Sequence, residues 1–120
     1  VSEHLHQVAI TSWARNPAVI AQYPGIDLLF SSLNGVHLGK SQAGKAKASG
    51  MLAGVYDLML PARRGEFVGL VIEMKWAKNK LTPEQEWFGA RMREEGWKTV
   101  TAWDWIAARD AIVEYLSMPK

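Results

Sequence analysis

Two short apolar runs, each interrupted by an acid, occupy the middle of the chain. The first is Val55-Tyr56-Asp57-Leu58-Met59-Leu60, and the second runs from Phe67 to Lys75 with Leu70-Val71-Ile72 at its centre. Their length and their β-branched and aromatic content predict strands over 56–60 and 67–75. A strand alternates its side chains, so Leu70, Ile72 and Met74 point to one face while Val71, Glu73 and Lys75 point to the other. Between the runs, Pro61 to Glu66 predicts a hairpin turn centred on Gly65. That centre sets Asp57 opposite Glu73 across the strand pair.

The flanking pattern completes a domain. Leu5, Val8, Ala9 and Trp13 recur at helical spacing and predict a helix over 3–15, closed by Asn16-Pro17. Asp27 to Leu33 predicts a strand ended by Asn34-Gly35. Residues 35–54 mix five glycines with serines, alanines and lysines, which predicts a mobile or partly irregular connection. Thr82-Pro83-Glu84-Gln85 opens a helix, with Thr82 as cap, Pro83 in the first turn, Phe88 and Met92 facing inward, and Gly96 as the stop. Trp97 to Ala102 reads as a strand. Asp104 caps a last helix whose Ile106, Val113 and Leu116 are expected to face inward. The order helix, three strands, helix, strand, helix predicts a mixed α/β fold whose sheet is covered by helices.

Composition narrows the class. At 120 residues the chain is expected to form one domain spanning 1–120. Hydrophobic content of 48% with 22% charged residues is that of an ordinary globular protein. No apolar run approaches the roughly 20 residues that cross a bilayer, and the N-terminus lacks the basic-then-apolar order of a signal peptide. No membrane association and a cytoplasmic location are therefore expected. The absence of cysteine excludes disulfides and thiolate zinc sites.

Net charge is only +2, but its distribution is uneven. From Leu28 through Tyr56 there is no acid, while Lys40, Lys45 and Lys47 fall in that stretch. Arg63, Arg64, Lys78 and Lys80 flank the two acid-bearing strands. These seven are candidate phosphate-binding residues, since phosphate contacts supply most non-specific affinity for nucleic acid; a solvated loop with scattered lysines is the plainer reading. Carboxylates opposed at ~5 Å repel one another. A cation between Asp57 and Glu73 resolves the conflict, and hard ions such as Mg2+ accept carboxylate oxygens while keeping several waters.

Asp57, Glu73-x-Lys75 and Gln85 at the head of the following helix resemble the PD-(D/E)xK nuclease superfamily. More narrowly, Gly54-Val55-Tyr56-Asp57-Leu58, Ile72-Glu73-Met74-Lys75, Leu81-Thr82-Pro83-Glu84-Gln85 and Gly96-Trp97-Lys98-Thr99-Val100 resemble the VRR-NUC family, the virus-type replication-repair nuclease domain. The resemblance extends from the first helix, where Glu3 and Gln7 sit as in the family, to the last. Its one visible departure is Tyr56, where the family often has Pro. No further domain is expected, which resembles the arrangement of stand-alone phage and bacterial members.

The resemblance implies a restriction-endonuclease-like core, a mixed central sheet flanked by helices. It also implies that Asp57 and Glu73 hold one or two Mg2+ or Mn2+ ions with the Met74 carbonyl, and that Glu3 is a further metal-site candidate. Lys75 would orient a water and stabilise charge on the phosphate. Gln85 would position Lys75 or that water. The implied activity is phosphodiester hydrolysis in DNA repair, on branched DNA such as Holliday junctions, by a homodimer in a bacterial or phage-infected cell.

Plainer roles for the same residues stay open. Glu73 and Lys75 at i, i+2 also fit an exposed ion pair worth ~0.2–1 kcal/mol. Thr82-x-x-Gln85 is also a capping box, and Glu3 also suits a helix N-terminus. His4, His6 and His37 have no ligand spacing. Trp13, Trp87, Trp97, Trp103 and Trp105 are expected in the core or an interface, leaving Trp76, directly after the acid-bearing strand, as the tryptophan placed to meet a substrate.

Overall fold

The structure is a computed structural model that describes residues 3–32 and 39–120, with the Glu3 side chain outside the described set. Elements follow as α1 (Glu3–Ala14), α2 (Pro17–Gln22), a 3-10 turn (Ile26–Leu28), β1 (Phe30–Ser31), α3 (Lys40–Ala48), β2 (Leu58–Leu60), β3 (Gly69–Met74), α4 (Pro83–Glu94), β4 (Trp97–Ala102) and α5 (Trp105–Leu116). The four strands form one mixed sheet in the order β1-β2-β3-β4. β2 pairs antiparallel with β3, and β4 joins β3 in parallel after the α4 crossover.

The hairpin register is the expected one, with Leu58 opposite Ile72, Met59 opposite Val71 and Leu60 opposite Leu70. One step further along the same register brings Asp57 to Glu73. Alternation then sorts β3 between two layers. Leu70, Ile72 and Met74 join Leu58, Leu60 and Ala102 in a core closed by Ile10 and Ala14 of α1 and by Ala108, Ile112 and Tyr115 of α5. On the other face Val71 meets Tyr56 and Phe88, which bring α4 against the sheet. At Gly69, a Cβ would collide with the Trp97 ring, so a side-chain-free residue lets β3 and β4 pair at that point.

Several expectations are corrected. The strand foreseen over 27–33 is a 3-10 turn followed by a two-residue edge strand, because turning at Gly25 (φ 103) buries both Ile26 and Leu29; Leu33 and Asn34-Gly35 lie outside the described residues. Part of the connection foreseen over 35–54 is helical. Lys40–Ala48 has good helix formers, and Lys45 and Lys47 in its last turn complement the helix dipole. Asn16-Pro17 starts a helix as well as ending one, with Asn16 accepting the Ala18 N–H at 2.8 Å.

In α5 Ala108, Ile112 and Tyr115 are buried and Leu116 packs against the core as expected, whereas Ile106 is exposed and Val113 is half-buried. Trp87 and Trp103, expected in the core or an interface, lie outside the core and are 52% and 47% exposed. Tyr115 donates its hydroxyl to the Ala62 carbonyl at 2.6 Å, and burial pushes that hydroxyl above its ordinary value. Among the described residues no helix is long and apolar enough to cross a membrane.

Candidate active site

Asp57 sits where the chain bends into β2. Its carbonyl accepts the Ser32 N–H at 2.9 Å, which ties it to β1. Its Oδ2 accepts the Met74 N–H, also at 2.9 Å, which draws the carboxylate onto the end of β3. A strand residue presents its N–H and C=O to the same neighbour. The Met74 carbonyl is thus turned toward the β2 side, where Asp57 lies.

Glu73 lies on the α4 face of β3 and is 2% exposed, with Asp57 at 6% and Lys75 at 7%. Lys75 extends the parallel ladder by donating its N–H to Ala102 O at 2.8 Å, and its Nζ stands 3.6 Å from Glu73 Oε2. The exposed ion pair considered for these two residues is therefore a buried one. Two carboxylates and one ammonium this poorly hydrated are costly, and apolar residues would serve stability as well or better. Such clusters mark sites of function more often than points of stability.

Gln85 occupies both of its candidate roles at once. Its Oε1 accepts the Thr82 N–H at 2.9 Å while Thr82 Oγ1 accepts the Gln85 N–H at 3.2 Å, a complete capping box. Its Nε2 donates to Glu73 Oε2 at 2.9 Å. The partner is the carboxylate, in place of the Lys75 or water foreseen from sequence. Because the cap fixes the amide's far end, the donor is aimed without further ordering.

Gly54 explains how α4 reaches this point. It has φ 89, and a Cβ there would overlap the Glu84 carbonyl group and lie 2.9 Å from Gln85 N. The segment leading to Asp57 thus packs backbone to backbone on the first turn of α4. Gly54→Ala is expected to cost about 3 kcal/mol from left-handed strain plus overpacking and to pull Gln85 off Glu73. Gly50→Ala is the control, since Gly50 has φ 102 with nothing within 4 Å of its Cβ position. Chemical denaturation of the two variants should separate them by the packing contribution alone.

Tyr56, the departure from the family pattern, is a core residue. Its ring lies 5.5 Å from Phe88 at 50°. Burial raises its hydroxyl above the ordinary value against the pull of Arg93, and Glu73 adds to the rise. The side chain wedges α4 over the acids and reaches no exposed surface.

The basic residues scatter. Lys78 and Lys80 are exposed in the loop directly after Lys75, and Lys40, Lys45 and Lys47 are exposed on α3. Arg63 is exposed at the opposite end of the hairpin, roughly 20 Å from Asp57 at ~3.3 Å per strand residue. Arg64 is a correction. Its guanidinium is buried and donates to Pro24 O and Arg63 O, each at 2.6 Å, so it pins the turn and offers no surface charge. Glu3 begins α1, but its side chain, like His37, lies outside the described residues. His6, which has no ligand spacing in the sequence, accepts the Trp105 N–H on Nδ1 at 3.1 Å. No sequence spacing announces that bond across the fold.

The donor set suits a hard divalent ion. Two carboxylates brought to one end of a hairpin and a nearby carbonyl leave the remaining positions to water, the habit of Mg2+ and Mn2+. Among the described residues no group of three or more His, Asp or Glu side chains assembles anywhere.

A solved structure titled "VRR_NUC domain protein" superposes on this chain with a TM-score of 0.80 at 25% sequence identity, covering 100% of this chain and 92% of the other. No protein-family model matches the sequence, and no curated protein matches it.

Proposed function

Since the chain belongs to the VRR-NUC family of nucleases, we propose that it is a divalent-metal-dependent endodeoxyribonuclease acting on branched DNA, with four-way junctions as the preferred substrate, in the cytoplasm of a bacterial or phage-infected cell. The observation that carries this reading is the buried set at the end of the hairpin, where Lys75 and Gln85 both address Glu73 Oε2 and Asp57 is held on the Met74 N–H.

In this reading Asp57, Glu73 and the Met74 carbonyl hold the ion. When bound, it polarises the phosphodiester and makes water a stronger acid. The chain's own residues do the rest. Gln85 fixes the Glu73 carboxylate from the capped end of α4. Lys75 presents its ammonium where negative charge grows on the phosphate and steers a water toward phosphorus. Lys78 and Lys80 neutralise neighbouring phosphates.

A two-fold homodimer fits the exposed apolar residues beside α4, namely Met51 at 40%, Leu52 at 48% and Trp87 at 52%, because exposed apolar patches commonly mark interfaces. Two copies related by a dyad would address two strands of a junction. The test is cleavage of end-labelled junction, flap and linear duplex DNA of matched sequence in Mg2+, Mn2+ or EDTA, with the assembly followed by sedimentation. Paired nicks on the junction by a dimer support the proposal. Equal cutting of all three overturns the junction preference, and no cutting with either metal leaves only a DNA-binding module.

A further inference from the structure

We infer that Trp76 is a stacking platform for a nucleobase unpaired next to the cleaved phosphate, so that a junction opens at least one base at its branch point to enter the site. This inference rests on the nuclease reading above. β3 and β4 run parallel with Met74 beside Ala102, so Trp76 and Trp103 leave the sheet at the same end, the end that carries Glu73 and Lys75. Both indoles are exposed there, at 41% and 47%. Water contact is unfavourable for so large an apolar ring, yet the local backbone is built to keep Trp76 out.

Asn79 N–H donates to Trp76 O at 3.0 Å, closing a tight turn over 76–79. Ala77 within it has φ 53, the one non-glycine residue at positive φ among those described. An alanine is disfavoured there, and such strain persists only where the surroundings impose it. Here the surroundings are identifiable. Trp103 Nε1–H donates to Asn79 O at 3.1 Å and anchors the far side of the turn. The His6 ring, fixed by the Trp105 N–H at 3.1 Å, backs Trp76 at 6.3 Å between centroids and 36° between planes.

The result is a rigid, outward aromatic face with a cationic rim, Lys78 and Lys80 being exposed in the same loop. That pairing of π-face and positive charge suits a nucleic-acid strand better than an apolar protein surface. It is selective for unpaired bases, since bases within a duplex have no free face, and tolerant of sequence, since every base has one.

The experiment places 2-aminopurine at the branch point of a four-way junction and measures its fluorescence and affinity in EDTA. Wild-type protein should quench the probe. Trp76→Ala should remove the quench and weaken binding by about tenfold, Trp76→Phe should restore most of both, and binding to fully paired duplex should not depend on residue 76. Unchanged quenching in Trp76→Ala, or equal weakening for duplex and branched DNA, would overturn the platform. The two readings fail separately. Quenching that depends on Trp76 in a protein that never cleaves keeps the platform and removes the nuclease, whereas cleavage with quenching indifferent to Trp76 does the reverse.

Discussion

Glu73→Ala is expected to abolish divalent-dependent cleavage, a loss on the order of a thousandfold or more, and also to remove the protein's thermal response to Mg2+. The two effects have one origin. Glu73 Oε2 accepts from Gln85 and faces Lys75, so its removal takes away half of the carboxylate pair and the group that both neighbours address. An ion that binds only the folded state stabilises it by about 2.7 kcal/mol at a hundredfold excess over Kd. For a domain of this size that raises the wild-type melting temperature by roughly 10 °C.

Neither Glu73→Ala nor Asp57→Ala should gain that increment. Glu73→Ala should also start about 3 kcal/mol lower, because Lys75 is left buried without its counter-ion. Calorimetry with and without Mg2+ measures both quantities, and the cleavage assay supplies the third. A full metal response in Glu73→Ala with cleavage intact would falsify the site.

How far the residues announced this site depends on which physical constraint governs each one. The Asp57–Glu73 register was legible because two constraints agree: the alternation of Leu70, Ile72 and Met74 fixes which face is buried, and the turn fixes which residues pair. A slip by one residue would expose the whole core face, so the observed pairing of Leu58 with Ile72 follows. β4 and α4 were equally legible, as Thr82, Pro83 and Gly96 punctuate them locally.

What was hidden depends on distant partners. Gln85 was recognisable as a cap from Thr82 three residues away, but its bond to Glu73 requires α4 to cross that strand end, which only the Gly54 contact reveals. Arg64 resembled a surface cation until the Pro24 carbonyl, 40 residues away, was found to hold it. β1 shrank to two residues because it is an edge strand with a single neighbour. The phase of α5 was set by Tyr115 reaching Ala62, a demand invisible in the helix's own pattern. Trp103 lies just past β4, in the bend that leads to the Asp104 cap, where it is left exposed.

Lys75→Ala is expected to separate charge stabilisation from ion binding. Cleavage should fall by about 10²- to 10³-fold, the usual cost of deleting one preorganised donor at a developing charge. The thermal response to Mg2+ should persist and grow. Glu73 is 2% exposed with the Lys75 ammonium 3.6 Å away; deleting that ammonium leaves the buried carboxylate with the Gln85 amide and makes the site more negative. Without divalent ions the variant should therefore be less stable than wild type, since one member of a buried pair has lost its partner. With them the deficit should narrow, because a cation replaces the missing charge. Glu73→Ala and Lys75→Ala thus move the metal response in opposite directions while both suppress cleavage. If Lys75 only neutralised Glu73, saturating Mg2+ would restore cleavage in Lys75→Ala along with stability. Stability that recovers while cleavage does not assigns the ammonium to the phosphate.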